Sequence, residues 1–326
     1  MTSETGIDTA VVAGQHRGGH RMSTGRLGDR VFAGAARGSG IFLLVLMAAI
    51  AAFLIWKALP ALQANAANFF TSQEWSPDAT PVKFGIAQLA FGTLLSSALA
   101  LILATPVAIG IALFIAFYAP RRLADGLSYI VDLLAAVPSI VYGLWGLQFL
   151  VTKMNGPSTF LNDYFGWVPL FGGSSVGGQT MLVAAVVLAI MILPIISSIS
   201  REVFLQVPRA NIEAALALGA TRWEMIRLAV LPFGRSGMVS AAMLGLGRAL
   251  GETVAVAMVL STVSGISWKI LEPGGNTFAA NIVRTFPEAG TNGRSALIAS
   301  GLVLFFITLI VNMAARAIVA RRKEFV

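Results

Sequence analysis

The chain alternates long uncharged hydrophobic runs with short segments that carry most of its charged residues. A bilayer core about 30 Å thick needs roughly 20 apolar residues in helical form, so runs of this length predict membrane-spanning helices. We predict six spans, at about residues 39–59, 85–118, 128–152, 179–200, 236–263 and 295–316. The predicted fold class is an all-α integral membrane protein with six transmembrane helices.

Three of the predicted spans contain an internal proline, namely Pro106, Pro138 and Pro194. Proline lacks a backbone N–H and clashes with the preceding turn, so it kinks or breaks a helix. In a membrane, neighbouring helices can satisfy the groups that the kink frees. Each proline is therefore either a hinge for alternating access or a kink held by packing, and the sequence leaves both open.

Composition agrees with the membrane prediction, because 56% of the 326 residues are hydrophobic and only 12% are charged. Soluble domains carry about 25% charged residues, so an ordinary soluble enzyme is excluded. The chain has no cysteine, which excludes disulfides, thiolate metal sites and a cysteine nucleophile. His16 and His20 have no further ligand nearby in the sequence, and we assign no metal site.

The positive charges fall mainly on one side of the predicted membrane. Because cytoplasmic loops are enriched in Lys and Arg, this side is predicted to be the cytoplasm, and both termini lie there. The net charge of +8 thus reflects topology and does not indicate a nucleic-acid partner. The cytoplasmic cations are Arg17, Arg21, Arg26, Arg30, Arg37, Arg121, Arg122, Arg201, Arg209, Arg222, Arg227, Arg235, Arg316, Arg321, Arg322 and Lys323.

Two regions differ in composition. Residues 1–38 are rich in Gly, Ser, Thr and Arg and have almost no apolar periodicity, so we expect a disordered cytoplasmic leader. Residues 39–326 contain all six predicted spans and form one membrane domain, with no separate soluble domain.

The connection between the fourth and fifth spans, residues 209–232, has helix-forming sequence on both sides of a glycine. Residues 212–218 are strong helix formers, and Gly219 follows where a left-handed helix cap would lie. Thr221 and Glu224 then make a capping-box pattern, which starts a second helix. The sequence predicts a helical hairpin on the cytoplasmic side.

The second helix of this hairpin has an apolar face. Trp223, Ile226 and Val230 are spaced to share it, and Pro232 is expected to end the helix. Periodicity alone fits two interpretations, a docking element for a partner and a linker that lies on the membrane surface.

The spacing of residues in the hairpin resembles the EAA loop of ABC-importer permeases. Glu-Ala-Ala is followed by a glycine six residues after the glutamate, and by Leu-Pro twelve residues after the glycine, with Ala229 where isoleucine is usual. In that family the loop inserts a coupling helix into a groove of an ATPase subunit. The resemblance implies that the residues for ATPase coupling are Glu213, Ala214, Ala215, Gly219, Thr221 and Glu224.

The sequence contains no match to the phosphate-binding pattern G-x-x-x-x-G-K-[ST]. We therefore expect this chain to be a transporter subunit and no enzyme in itself, binding no cofactor. ATP and Mg²⁺ are expected on a partner ATPase subunit, which would make the assembled complex an ATPase.

Two charged residues, Arg248 and Glu252, lie four positions apart in the fifth predicted span, which makes them neighbours on one helix face. Charges inside a membrane are tolerated mostly where they pair or line a water-filled path. The two interpretations are a substrate path and an ion pair that only neutralises itself. Gly245, Gly247 and Gly251 keep the helix slim, which fits both.

The chemistry of the pair suggests a substrate class. A guanidinium is a planar set of donors suited to oxyanions, and a nearby carboxylate repels an anion that cannot donate a hydrogen bond. Hydrogen phosphate can donate one, whereas sulfate at neutral pH cannot. We hypothesise that Arg248 attracts the anion and that Glu252 selects a protonated oxyanion and limits how tightly it binds.

Four stretches resemble the PstC family of permease subunits of phosphate ABC importers, from about residue 40 to the C-terminus. These are GRALGETVAVAM around Arg248, YGLWG at residues 142–146, EWSPDATPVKFG after the first span, and VLFFITLIVN in the last span. The sister PstA family shares the EAA loop and the ALGET string. The context GLGRALGETVAV and the EW-x-P loop favour the PstC family.

This resemblance implies a function and a set of partners. The function is import of inorganic phosphate across the bacterial inner (plasma) membrane by a multi-pass subunit. The partners are a PstA-like permease subunit in a heterodimer, two copies of a PstB-like ATPase, and a PstS-like extracytoplasmic phosphate-binding protein, with no nucleic acid. In that family the residues matching Arg248 and Glu252 are associated with the transport path.

Other functions remain as alternatives. A permease for another oxyanion fits the same residues, and a secondary transporter or channel would use Arg248, Glu252 and Asp132 without an ATPase. The hairpin argues against an ion-driven carrier, which has no need of a docking element. An intramembrane enzyme is disfavoured, because no span contains a histidine and Asp132 has no aspartate partner within a span. We expect Asp132, near the cytoplasmic end of its span, to be solvated or paired.

Overall fold

The computed structural model describes residues 27–263 and 265–320, most of which are helical. Contacts divide the chain into two units, Met1–Ala52 and Phe53–Val326. Of the first unit the structure describes residues 27–52, which form the first part of helix α1 (Leu27–Ala64). All other helices lie in the second unit.

Helix α1 begins earlier than the sequence predicts. Residues 27–38, expected to belong to a disordered leader, are helical and run directly into the first predicted span. No proline interrupts the chain between Leu27 and the apolar run, so nothing in the backbone ends the helix there. The rest of the predicted leader, with His16 and His20, lies outside the described residues.

The remaining elements begin with a small hairpin, in which strand β1 (Trp75–Ser76) pairs antiparallel with strand β2 (Lys83–Phe84). The helices then follow in the order α2 (Ala87–Leu113), α3 (Arg121–Ala135), α4 (Ser139–Trp145), α5 (Val151–Lys153), α6 (Asn155–Phe165), α7 (Met181–Leu205), α8 (Arg209–Ala217), α9 (Arg222–Met225), α10 (Leu231–Leu250), α11 (Val254–Val259), α12 (Phe278–Thr285) and α13 (Thr291–Ala320).

Three π-helical turns extend or join these helices. One continues α2 through Phe114–Tyr118, a second joins α4 to α5 through Gly146–Leu150, and a third joins α9 to α10 through Ile226–Val230. A 3₁₀ turn, Phe286–Glu288, follows α12. The third π turn makes the cytoplasmic hairpin continuous with the fifth predicted span.

The helical fold class is confirmed, and the structure refines the number of spans. Among the described residues, five helical segments are long and apolar enough to cross a membrane. A sixth span results if α3 and the α4–α5 segment, which meet at a bend of 90°, count as one. The five segments are Gly28–Ala64, Ala87–Tyr118, Met181–Leu205, Arg222–Leu250 and Thr291–Ala314.

The third predicted span was expected as one helix over residues 128–152. The prediction of a continuous helix is wrong. The span breaks at Pro138, where α3 ends and α4 begins at 90° to it. Pro138 has an extended backbone and acts as the cap residue of α4. The break follows from the missing N–H of proline and from its bias against helical conformation at the preceding residue.

Helix α7 lies at the centre of the second unit, and its residues Leu188, Ile192 and Ile196 are fully buried. Helix α2 packs along it, and its buried alanines recur every fourth residue, at positions 100, 104 and 108. Small residues at this spacing allow two helices to approach closely in a membrane. Pro106 and Pro194 lie inside α2 and α7 without breaking them.

The β-hairpin is attached to the start of α13. The Asp78 carboxylate, in the turn between the two strands, accepts hydrogen bonds from Gly290 N at 2.9 Å and Gly293 N at 2.8 Å. A carboxylate at the first amides of a helix satisfies free donors and is favoured by the helix dipole. The EWSPDATPVKFG stretch therefore fixes the start of the last span.

Candidate functional site

Arg248 lies just before a helix break, and Glu252 lies within it. The fifth span was expected as one helix over residues 236–263. This prediction is wrong beyond Leu250, because α10 ends there and α11 begins at Val254. Local hydrogen bonds compete with the helix in this segment, since Thr253 Oγ1 donates to Gly251 O at 3.0 Å. Arg248 is thus the last charged residue of α10, and Glu252 belongs to the break.

The Glu252 carboxylate caps the start of α11. Its Oε1 accepts a hydrogen bond from Ala255 N at 3.1 Å, which satisfies one of the free amides of that helix. Within residues 27–263 and 265–320 the ion pairs are Arg201–Glu202 and Lys269–Glu272, so Arg248 and Glu252 do not pair with each other. The structure therefore contradicts the expectation that they share one helix face, and it shows no self-neutralising pair.

The guanidinium of Arg248 contains a buried nitrogen. In the part of the chain that the structure describes, its Nε is buried and has no hydrogen-bond partner. A buried donor without an acceptor costs about 1–3 kcal/mol, and more when it is charged. Such a group can bind an anion without first breaking a hydrogen bond of its own.

Two glycines of the YGLWG motif bring α4 against α11. A Cβ atom on Gly143 would lie 2.8 Å from Ala255 Cα, and one on Gly146 would lie 2.8 Å from a methyl group of Val259. Both distances are shorter than side-chain packing permits, so any larger residue would push the two helices apart. The broken third span and the broken fifth span are therefore in direct contact.

Arg284, to which the sequence analysis assigned no role, caps the other end of α11. Its Nε donates to Ala257 O at 3.2 Å, its Nη2 bonds the carbonyls of Ala257 and Leu260, and its Nη1 donates to Thr262 Oγ1 at 2.6 Å. Desolvation by burial lowers the pKa of the Arg284 guanidinium from its usual value. A cation at the last carbonyls of a helix is favourable, so Glu252 and Arg284 hold α11 at opposite ends.

The cytoplasmic hairpin forms as the sequence predicts. Helix α8 ends at Ala217, and Gly219 adopts a left-handed conformation with φ of +82°. The capping box is present, with Glu224 N donating to Thr221 Oγ1 at 3.3 Å and Thr221 N donating to Glu224 Oε2 at 2.8 Å. The backbone and hydroxyl of Thr221 hold the pKa of the Glu224 carboxyl below its usual value.

The buried face of the second hairpin helix differs from the predicted one. Ile226 and Val230 are fully buried against the ends of α2 and α7, but Trp223 is 57% exposed, and Met225 is buried instead. The reason is the π turn Ile226–Val230, which changes the angular spacing of residues from that of an α-helix.

Pro232 does not end this helix. It lies in the first turn of α10, where its missing N–H is tolerated because the π turn already interrupts the regular hydrogen bonds. The expectation that Pro232 marks a helix end is therefore wrong, and the hairpin continues directly into the span that carries Arg248.

The residues expected to couple to an ATPase lie mostly at the surface of the hairpin. Glu213, Ala214, Gly219, Thr221 and Glu224 are exposed, and Ala215 is half-buried against the core. The apolar side chain of Leu218 beside them is 90% exposed.

Asp132 is paired with a neighbouring helix. Its Oδ1 accepts a hydrogen bond from Ser198 Oγ of α7 at 2.8 Å, which agrees with the expectation of a paired residue. Over residues 27–263 and 265–320, no group of three or more His, Cys, Asp or Glu side chains could hold a metal ion.

Comparison with protein families identifies relatives of the chain. Residues 108–324 match the model described as "Binding-protein-dependent transport system inner membrane component". The "Phosphate transport system permease protein PstC 2" of Mycobacterium tuberculosis is 50% identical over 305 residues, covering 91% of this chain and 93% of its own. The "Phosphate transport system permease protein PstC" of Xylella fastidiosa (strain Temecula1) is 44% identical over 289 residues, covering 87% and 88%.

Solved structures with a similar fold are also ABC transporters. A bacterial ABC transporter for import of the acidic polysaccharide alginate matches with a TM-score of 0.54, covering 90% of this chain and 99% of its own at 18% identity. The inward-facing MetNI methionine ABC transporter (CY5 native crystal form) matches with a TM-score of 0.52, covering 72% and 95% at 18% identity. At this identity the likeness concerns the fold alone.

Proposed function

The chain belongs to the family of binding-protein-dependent transport system inner membrane components, and from this membership we infer that it is the permease subunit of an ATP-binding-cassette importer for inorganic phosphate. The observation that carries the inference is the 50% identity to mycobacterial PstC proteins over 91% of the chain.

A permease subunit of an ABC importer works only in a complex with other subunits. We propose a heterodimer with a PstA-like permease, two copies of a PstB-like ATPase that hold ATP and Mg²⁺, and a PstS-like phosphate-binding protein on the outer side. The proposed location is the inner (plasma) membrane of a bacterium, with both termini in the cytoplasm. The excess of cations on one side supports this orientation.

The cytoplasmic hairpin is the proposed coupling element. ATP binding closes the ATPase dimer and displaces the hairpin, which moves the spans between inward-facing and outward-facing states, and hydrolysis resets them. Support comes from the continuous helical segment Arg222–Leu250, which starts in the hairpin and ends two residues after Arg248. Movement of the hairpin is thereby transmitted along one helix to the proposed substrate path.

Arg248 is the proposed anion-binding residue of the path. Its guanidinium is a planar set of donors suited to phosphate oxygens, and no hydrogen bond of its buried Nε within the described chain competes with such binding. Glu252 contributes the second interaction. Because its Oε1 already accepts from Ala255 N, its other oxygen is left to accept a hydrogen from a protonated oxyanion.

This arrangement predicts selectivity. Hydrogen phosphate can donate a hydrogen bond to Glu252, whereas fully ionised sulfate would place a lone pair against a carboxylate, which is repulsive. A permease for another oxyanion is the alternative that shares these residues. A secondary transporter or channel is less well supported, because the hairpin and the family both indicate an ATP-driven importer.

Uptake of labelled phosphate in a permease-deleted bacterial strain tests the function. The strain expresses this chain with its partner subunits, and correct membrane insertion is verified in the same cells. We expect uptake to be restored and to be blocked by excess unlabelled phosphate but not by sulfate. Correctly inserted protein that restores no uptake would rule out the phosphate assignment, and equal competition by sulfate would favour a general oxyanion permease.

A further inference from the structure

The bend at Pro138 changes the hydrogen bonds of the Leu134 carbonyl. In a continuous helix, Leu134 O would accept a hydrogen bond from the amide of residue 138, but proline has none. The amide of Val137 donates to Leu134 O at 3.3 Å instead. The hydroxyl of Tyr142 donates to the same carbonyl at 2.9 Å, although it lies eight residues further along the chain.

Tyr142 thus joins the two halves of the broken third span. It belongs to α4, while Leu134 belongs to the end of α3, and the two helices meet at 90°. Its side chain is buried, with 9% of its surface exposed. The hydrogen bond is partly buried, since its acceptor belongs to Leu134, which is 42% exposed.

The helix that carries Tyr142 also contacts the proposed substrate path. Gly143, the next residue, packs against the backbone of Ala255 in α11, and Glu252 caps that helix through the same residue. Tyr142 therefore bridges the break at Pro138, and the residue next to it contacts the helix that Glu252 caps.

We propose that Tyr142 is a positioning residue of the anion path, which sets the angle of the broken third span and, through the contact of α4 with α11, the placement of Arg248 and Glu252. The proposal rests on the proposed function, since it names a further residue for the same transport step. The phenol acts through the backbone of Leu134 and needs no contact with the transported anion.

The variant Tyr142→Phe tests this role, because it removes one hydroxyl and keeps the ring. The matched control is Tyr129→Phe on α3, whose ring is 70% exposed. Both are measured in the complete importer, reconstituted in lipid vesicles, as phosphate transported per ATP hydrolysed. For Tyr142→Phe we expect this ratio to fall about fivefold, the factor that corresponds to one hydrogen bond of typical net strength.

A double-mutant cycle with Arg248→Lys separates positioning from folding. If Tyr142 acts by placing Arg248, the effect of Tyr142→Phe shrinks to less than about twofold once the guanidinium is replaced by an ammonium. A structural role alone would lower phosphate uptake and ATP hydrolysis in parallel, and its effect would be the same in both backgrounds.

The outcomes distinguish this inference from the function on which it rests. Wild-type transport together with an unchanged ratio in Tyr142→Phe overturns the positioning role and leaves phosphate import intact. Parallel loss of uptake and hydrolysis, or full additivity with Arg248→Lys, overturns it as well. If the reconstituted wild type hydrolyses ATP but moves no phosphate, the proposed function fails and the positioning role fails with it.

Discussion

Replacement of Gly219 perturbs the turn of the cytoplasmic hairpin without creating a clash. Its φ of +82° lies in the left-handed region, and a Cβ atom placed there would have no other atom within 4 Å. The effect of a side chain at this position therefore comes from backbone strain alone. A non-glycine residue in the left-handed conformation costs about 1–2 kcal/mol, and a β-branched residue lies at the upper end of this range.

This strain predicts a loss of coupling in Gly219→Val. A cost of about 1–2 kcal/mol shifts the equilibrium constant between the native turn and other conformations by about 5- to 30-fold. If the hairpin transmits motion from the ATPase, phosphate transported per ATP hydrolysed should fall by at least about fivefold. The assay is simultaneous measurement of phosphate uptake and ATP hydrolysis in vesicles that contain the complete importer.

Two control variants make this test specific. Gly219→Asn should remain close to the wild type, because asparagine tolerates the left-handed conformation. Gly110→Val adds the same side chain inside α2, where a Cβ also meets no atom within 4 Å and φ is not positive, and it should leave coupling unchanged. An unchanged ratio in well-inserted Gly219→Val would refute the coupling role, and equal defects in the Val and Asn variants would refute the argument from strain.

Three further perturbations have defined outcomes. Gly143→Val places a side chain 2.8 Å from Ala255 Cα, and such overpacking costs about 1–3 kcal/mol of folding free energy. The melting temperature of the purified complex should therefore fall, whereas Gly110→Val should leave it unchanged. Arg284→Met removes the cap of α11, and uptake should fall about tenfold at unchanged membrane insertion; full uptake would contradict the capping role. The pKa of Glu224 is lowered in the fold, so its capping contribution is complete above the unfolded pKa of about 4.3 and is lost as the pH falls through the folded pKa. The protection factor of the Thr221 amide against hydrogen exchange should therefore fall at that acid pH, whereas Glu224→Gln should show no such step.

The sequence was sufficient where a feature depends on neighbouring residues. The left-handed Gly219 and the capping box of Thr221 with Glu224 involve contacts over no more than four positions, and both are present in the structure. Long apolar runs such as that of α7 also predict their helices, because hydrophobic length alone decides them.

Helix breaks were harder to predict. Pro138 breaks its helix, whereas Pro106 and Pro194 do not, so proline alone does not decide the outcome. The break after Leu250 contains no proline and depends on hydrogen bonds of Glu252 and Thr253 with nearby backbone groups. The π turn that hides Met225 and exposes Trp223 has no signal in the periodicity of the sequence.

Contacts between distant segments could not be predicted from one sequence. Arg284 reaches Ala257 across 27 positions, and the hydrogen bond of Tyr142 spans a bend whose angle the sequence does not specify. The local sequence patterns around these two residues give no indication of either hydrogen bond. Their roles follow only from the packing of α4, α11 and α12 in three dimensions.

The central claim is that Arg248 binds the transported phosphate, and ATP-driven uptake of labelled phosphate by Arg248→Ala tests it most directly. The variant is compared with the wild type in vesicles that contain the complete importer, at equal amounts of inserted protein and with ATP hydrolysis measured in parallel. We expect phosphate uptake to fall by more than about tenfold, which corresponds to the loss of a charged hydrogen-bond donor to the anion, while ATP hydrolysis persists. Wild-type uptake by Arg248→Ala would contradict the claim.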